Sequence, residues 1–319
     1  MNEPALNLCT LFDQNFLVQG ISMIRSVEQF ATAKIRWTVL ALDQETYNYL
    51  KSWIDFDLEI LTLDSIADIE LKLLRGTRPW NQLCWTSAAC LLNLVNSRTE
   101  EGEIAAYIDA DCLFFHDIFK TLEPLLHGSS IAIHEHRFST DRAEWLQRSG
   151  RFNVGLVAGV HGTEFDACVF RWRLQVLDNC EVDQSSGKCG DQTYLNEWPY
   201  RYKDMAILNN DGIGVAPWNL NNYHISKKNK IIYVGTSPLQ FFHFHGLEIG
   251  YINSKFAFYV PAAGYRLQKN NYKYIYQEYM KLLTENLSFI NNRNVKSYKR
   301  GVRWWVSGLI KNRLMMYVK

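Results

Sequence analysis

The seven cysteines, at positions 9, 84, 90, 112, 168, 180 and 189, are odd in number and form no C-x-x-C pair. That spacing argues against a zinc site or a dithiol redox motif and points to buried thiols. No uninterrupted apolar run reaches the roughly 18–20 residues a membrane span requires. The opening Met1-Asn2-Glu3-Pro4 lacks the charged start and long apolar stretch of a secretory leader, so a reducing cytoplasm is the expected compartment. Internal repeats and low-complexity segments are missing as well. Nor is there an excess of one charge: 34 Lys and Arg stand against 33 Asp and Glu, a balance that argues neither for nor against nucleic acid.

What is present is apolar and aromatic. The 319 residues are 47% hydrophobic and include 10 Trp, 17 Tyr and 17 Phe, which excludes a disordered chain or a small stapled scaffold and allows one large α/β domain or two smaller ones. Charge is unevenly spread. From Leu287 onward there are eight basic residues (Arg293, Lys296, Lys299, Arg300, Arg303, Lys311, Arg313 and Lys319) and no acid, leaving 26 basic against 33 acidic groups before it. The two regions are electrostatically different objects.

Apolar periodicity predicts strands at Leu6–Phe12, Ile35–Leu42, Leu58–Leu63 and Ile104–Ile108, with helical patterns between them and Asp43 capping one helix. Such alternation implies parallel β-α-β units and an open sheet with helices on both faces, and such sheets bind ligands at the carboxyl ends of their strands. Residues 134–151 are polar and read as a loop or short helix over a site. Phe152–Val160 reads as a further strand, Phe165–Leu177 as a helix, 182–190 as a mobile loop, Ile231–Val234 and Gln240–His245 as late strands, and Tyr272–Leu283 as a helix.

The strongest local chemistry follows the strand Ile104–Ile108. Asp109 and Asp111, two apart in an extended segment, project the same way. Flanking apolar residues make unpaired charge costly there, so a hard divalent cation with phosphate oxygens is the expected occupant. The same spacing at Asp55 and Asp57 precedes a strand and needs only a solvated turn. A histidine could supply a further ligand, and the aromatic run 240–246 carries His243 and His245 on one face, followed by Gly246.

Taken in order, these segments resemble the metal-dependent GT-A glycosyltransferases, especially family 8 and its bacterial surface-glycan relatives. Asn7-Leu-Cys-Thr10-Leu-Phe12-Asp13 resembles their first strand. Tyr107-Ile-Asp109-Ala-Asp111 resembles the aspartate-any-aspartate motif, and Phe152-Asn153-Val-Gly155-Leu the strand facing the donor sugar. Gly190-Asp191-Gln192-Thr-Tyr-Leu195-Asn196 resembles the helix start at the reacting centre, and His243-Phe-His-Gly246 the His-aromatic-x-Gly motif. Two departures stand out. Leu247-Glu248-Ile249-Gly250 replaces the usual Lys-Pro-Trp, so that Lys227, Lys228 or Arg75 would have to meet the phosphate, and Thr193 replaces an expected Asp.

The resemblance implies an open mixed α/β sheet of GT-A, Rossmann-like type over residues 1–265, with a nucleotide-binding half (1–120) and an acceptor or sugar half (121–265). It implies a transferase using a nucleotide-diphosphate sugar and Mn²⁺ or Mg²⁺. Asp109, Asp111 and His243 would hold the ion; Thr10, Phe12, Asp13, Asp109, Asn153, Gly155 and Gly246 would hold the donor; Asp191 and Gln192 would stand at the reacting face, with retention favoured over inversion. Asp191 has a simpler reading as a helix cap, and Trp80 and Trp85 could stack on sugar or sit in the core. Residues 266–319 read as a helical basic segment in which Trp304, Trp305 and Leu309 accompany the cations, suited to the anionic inner face of a membrane bearing a lipid-linked acceptor. A nucleic-acid partner is not expected. A sugar-phosphate nucleotidylyltransferase would want a Gly-rich stretch with a Lys after the first strand, and residues 13–20 hold one Gly and no Lys. A non-catalytic glycan- or membrane-binding module on the same fold is the other alternative.

Overall fold

The first strand, β1 (Leu6–Phe12), is buried at every position, as expected of a strand covered on both faces. Its odd and even residues separate into two cores. Leu6, Leu8 and Phe12 join one apolar cluster and Cys9 and Leu11 the other; in β4 (below), Ile104, Ala106 and Ile108 divide from Ala105 and Tyr107 in the same way. The period of two in the sequence therefore becomes the two faces of a single sheet. The computed structural model describes residues 5–32, 34–53, 56–183, 185–252, 255–260, 269–298 and 314–317.

In chain order the strands are β1, β2 (Ile35–Ala41), β3 (Leu58–Thr62), β4 (Ile104–Ile108), β5 (Cys112–Phe114), β6 (Ile131–Glu135), β7 (Phe152–Val160), β8 (Val182–Asp183), β9 (Lys188–Cys189) and β10 (Met205–Leu208). Beyond them come β11 (Ile225–Lys228), β12 (Ile231–Val234), β13 (Ser237–Pro238), β14 (Phe241–His243), β15 (Glu248–Ile252), β16 (Lys255–Val260) and β17 (Leu314–Tyr317). The seven-stranded sheet has the order β10-β6-β7-β4-β1-β2-β3. β1 runs parallel to β2 and β4, whereas β7 is antiparallel to both β4 and β6. The sheet is mixed, and it runs through both halves suggested by the sequence.

The longer helices are α1 (Leu17–Phe30), α2 (Gln44–Ser52), α4 (Trp80–Asn96), α8 (Thr163–Asp178) and α10 (Lys269–Tyr298); the short ones are α3 (Ile69–Leu73), α5 (Ile118–Thr121), α6 (Glu123–Leu126), α7 (Trp145–Ser149) and α9 (Trp198–Arg201). α1, α2 and α10 cover the face holding Leu8 and Phe12, and α4 and α8 the face holding Leu11 and Tyr107. Asp43 caps α2 as the sequence suggested, accepting from Thr46 N at 2.7 Å, and its second oxygen accepts from Gln14 N at 2.8 Å, tying the exit of β1 to the next helix.

Three segments differ from expectation. Where a mobile loop is expected, Val182–Asp183 and Lys188–Cys189 pair antiparallel, with Val182 opposite Cys189, before a 3-10 turn. α10 begins earlier and runs longer than the tyrosine-rich pattern indicated. Leu314–Tyr317 pairs antiparallel with Ala257–Val260 and is a strand rather than a continuation of helix, because the edge of β16 offers an open hydrogen-bonding ladder. Of the basic segment expected to meet a membrane, residues 299–313, with Trp304, Trp305 and five of its eight cations, lie outside the described residues.

Candidate active site

β4 ends at Ile108, and the chain turns at once. Asp109 N donates to Gly155 O at 3.1 Å, which ties the turn to β7, and Cys112 N donates to Asp109 O at 3.0 Å, which closes it. β5 then pairs with β14 so that Cys112 lies opposite His243. Phe244 N donates to Asp111 O at 2.8 Å, and His243 N donates to Val215 O at 2.8 Å. This ladder brings His243 Nε2 to 3.0 Å from Asp111 Oδ1 and 3.9 Å from Asp109 Oδ2.

Alternation along residues 242–245 does the rest. Phe242 and Phe244 turn to α10, where Phe244 stacks on Tyr279 at 3.8 Å and meets Tyr276 edge-on at 5.2 Å. His243 and His245 turn the other way, against Trp218 at 5.2 and 5.7 Å. Asp111, His243 and His245 offer ligand atoms that all lie within 4.8 Å of one another. One carboxylate oxygen with two imidazole nitrogens is a donor set that suits a first-row divalent ion. Asp109 is placed differently: the Tyr107 hydroxyl donates to its Oδ1 at 2.9 Å, and Oδ2 faces His243.

The charges depend on one another. At Asp111 burial raises the carboxyl, but the charge and hydrogen bond of His243 outweigh it and hold the group below its usual range. At Asp109 burial dominates and the carboxyl rises. Burial lowers His243, yet Asp111 and Asp109 together carry it above the ordinary imidazole value. Asp191, buried beside the same cavity, is pushed well up by burial and then by the charge of Asp109. A cluster that must desolvate several carboxyls is one that a cation would relieve.

Asn153, on β7, links this cluster to a third histidine. Its Oδ1 accepts from Gly155 N at 2.9 Å and lies 3.1 Å from His243 Nδ1. Its Nδ2 lies 3.2 Å from His136 Nε2 and 3.4 Å from Gln192 Oε1. His136 is buried, with Nδ1 3.1 Å from Gly150 O, and burial pushes its pKa down to about 3. Gly155 is glycine for a steric reason. A Cβ there would lie 2.7 Å from both Asn153 Oδ1 and His243 Nδ1, so any side chain would separate the two.

These groups line a cavity of about 670 Å³, a size suited to a bound small molecule. Phe12, Asp13, Asp109, Asp111, Asn153, Asp191, Gln192 and His243 all reach it, and so do Trp80 and Trp85. Three expected donor contacts do not. Thr10 shares the parity of Leu8 and Phe12, is fully buried toward the α1 face, and its Oγ1 has no partner. Gly155 is packed against Asn153 and His243 and Gly246 is exposed, and neither lines the cavity. Asp191 does not cap its 3-10 turn, for which Cys189 is the N-cap with no side-chain bond.

The expected phosphate cations are elsewhere. Lys227 pairs with Glu278 of α10, Arg75 pairs with Asp64 at 2.5 Å, and neither they nor Lys228 line the cavity. Among the described residues its wall holds no Lys or Arg. The lining thiols are not poised as nucleophiles: burial pushes Cys84 to about 12 and Cys189 upward. Sequence reasoning missed His136, Phe138, Trp145 and Trp218. The first three fall in the polar segment read as a covering loop, where no periodicity marks which side chains turn inward; Phe138 stacks on His136 at 4.6 Å, and Arg142 lies over Trp145.

No family model matches the chain. The Bacillus subtilis (strain 168) protein YfnD is 28% identical over 242 residues, covering 75% of this chain and 77% of YfnD. Among solved structures, the galactosyltransferase LgtC, determined with donor and acceptor sugar analogues, aligns with a TM-score of 0.56 at 13% identity, over 88% of this chain and 95% of LgtC. Mouse xyloside xylosyltransferase 1 aligns with a TM-score of 0.50 at 10% identity, over 76% of this chain and 98% of that one. The fold is that of the GT-A glycosyltransferases.

Proposed function

We propose that the protein is a divalent-metal-dependent glycosyltransferase that moves a sugar from a nucleotide-diphosphate sugar to a hydroxyl of a glycan. The observation that carries this reading is the convergence of Asp111, His243 and His245 at the carboxyl end of a central strand, inside an aromatic-walled cavity. Asp111 and His243 would hold the ion, with His245 completing the set and Asp109 contacting it less directly while meeting the ribose. A bound divalent ion would neutralise charge on the departing diphosphate, a contribution of several kcal/mol. The family resemblance and the fold of LgtC and the xylosyltransferase support the assignment.

The chain's own groups would divide the remaining work. Phe12 and Asp13, at the mouth of β1, would meet the nucleoside. Trp80, Trp85, Trp145 and Trp218 would exclude water and present flat apolar faces to sugar rings. Gln192, whose amide donates to Ser149 O at 2.8 Å, would line the reacting face beside Asp191. Transfer would proceed with retention: the anomeric bond to phosphate breaks, the acceptor oxygen bonds to the same face, and its proton passes to the leaving phosphate. With the +8 run after Leu287, the acceptor would be lipid-linked and the enzyme peripheral at an anionic membrane surface, as in surface-polysaccharide synthesis.

A thermal-shift screen of nucleotide sugars with and without Mn²⁺ tests this directly. One donor should raise Tm in the presence of Mn²⁺ and be slowly hydrolysed, and Asp111→Ala should abolish both effects. A chain that binds and hydrolyses no nucleotide sugar would be a binding module instead.

A further inference from the structure

We propose that Asn153 and His136 are positioning residues: a hydrogen-bonded relay from Gly150 O through both side chains fixes which nitrogen of His243 is presented to the ion. The inference rests on the reading of Asp111, His243 and His245 as a metal site. It also changes the role of Asn153, which the family resemblance would place against the donor sugar.

Gly155 N–H can only donate, so the Asn153 atom 2.9 Å from it is Oδ1. The NH₂ group of Asn153 therefore faces His136 Nε2 at 3.2 Å. An amide NH₂ can only donate, so His136 Nε2 carries a lone pair and the ring proton sits on Nδ1. At the other end of that ring Nδ1 faces Gly150 O at 3.1 Å, and a carbonyl can only accept. Two independent ends give the same tautomer. The oxygen already accepting from Gly155 also faces His243 Nδ1 at 3.1 Å, so His243 must donate from Nδ1. Its Nε2, whose proton goes to Asp111 Oδ1 at 3.0 Å, is the nitrogen that would exchange that proton for the ion.

Satisfaction of Asn153 follows from the same count. Its two amide hydrogens go to His136 and Gln192, and its oxygen accepts from Gly155 and His243. All four of its hydrogen bonds are used, leaving none for a sugar hydroxyl. The relay is held from behind. His136 stacks on Phe138 at 4.6 Å and meets Trp218 edge-on at 5.3 Å, the tryptophan that also contacts His243.

The test is Mn²⁺ affinity of the full chain without nucleotide, read from free Mn²⁺ by EPR. His136→Phe keeps the ring and loses the acceptor, and Asn153→Ala breaks the relay at its centre; each should weaken Mn²⁺ binding by about 10-fold or more. His136→Gln, whose carbonyl can still accept from Asn153, should stay close to the parent chain. Unchanged Mn²⁺ affinity in His136→Phe and Asn153→Ala, with donor affinity falling in Asn153→Ala, would overturn the relay and return Asn153 to the sugar. If the parent chain itself binds no Mn²⁺, the proposed function fails first and the relay with it. Should His136→Phe not fold, ¹⁵N–¹H correlation of the parent's imidazoles decides the matter: the inference requires the His136 proton on Nδ1, and a proton on Nε2 overturns it.

Discussion

His243 lies directly opposite Cys112 in the β5–β14 ladder, and that single register sets the 3.0 Å approach of His243 Nε2 to Asp111 Oδ1. Either partner alone is an ordinary buried polar group. Together they make a site that depends on strand pairing between distant parts of the chain. Asp111→Ala and His243→Ala should each lower Mn²⁺-dependent nucleotide release from the donor by roughly 10³-fold. Both should also abolish the Mn²⁺-induced rise in Tm, measured in the same preparations.

Gly155→Ala places a methyl group 2.7 Å from both Asn153 Oδ1 and His243 Nδ1. The two must separate or β7 must shift, at about 1–3 kcal/mol. Urea unfolding should show that loss, and Mn²⁺ affinity should drop with it. The neighbouring strand glycine, Gly159, is crowded instead by the ring of Phe165, so Gly159→Ala should lose stability while leaving Mn²⁺ affinity of the folded fraction unchanged.

Asp68 is buried, caps α3 by accepting from Leu71 N at 3.0 Å, and receives a bidentate pair of hydrogen bonds from Arg173 of α8 at 2.7 and 2.9 Å. Burial raises its carboxyl, but Arg173 and the cap together hold it below the usual value of 3.8. Because the folded-state value is the lower one, the pair's stabilisation is complete above about pH 4 and is lost as pH falls through that lower value. Asp68→Ala should cost about 1.5–3 kcal/mol at neutral pH, since it removes the α3 cap and two charge-assisted hydrogen bonds and leaves the Arg173 guanidinium only Glu70. The difference from the parent chain should narrow steadily below pH 3.8 in acid unfolding.

Phe244 is fully buried between β14 and the tyrosines of α10. Phe244→Ala should cost about 3–5 kcal/mol. It should also weaken Mn²⁺ binding, although Phe244 touches no ligand, because the flanking histidines are aimed by its packing. Equal losses of stability from a core position on the other face, such as Leu91→Ala in α4, should leave Mn²⁺ affinity of the folded fraction unchanged.

For the membrane reading, Lys299→Glu, Arg300→Glu and Arg303→Glu combined should abolish co-sedimentation with phosphatidylserine vesicles, and parent-chain binding should weaken as salt rises. Charge reversal is cleaner than deleting everything after Asn294, since deletion would also remove β17 from its pairing with β16. Unaltered sedimentation would leave the acceptor with no reason to be lipid-linked.

The central sheet was largely legible because its strands are nearly continuous apolar runs broken by turn residues, and because Asp43 carries an unmistakable cap. Asp109, Asp111 and His243 were legible for a different reason: each lies at or just beyond a strand, where alternation alone fixes which neighbours share a side. Thr10 does not line the cavity, because its place in a motif says nothing about parity and it falls on the α1 side. The relay could not be read. His136 follows a shift in pairing register between Ile133 and His134, and alternation fails at such a break. Lys227 and Arg75 likewise have partners, Glu278 and Asp64, that no local spacing announces.

The aromatic run 241–244 places core packing and ligand chemistry on opposite sides of one strand, with α10 behind it. During synthesis Asp109 and Asp111 leave the ribosome long before the histidines, and the histidines before the helix that seats them. A nascent chain would therefore have little hold on a metal until residues near Tyr279 have emerged and docked. On the proposed reading, ion capture would then report completed folding, and chains stalled short of α10 should be the ones that proteases find metal-free and open.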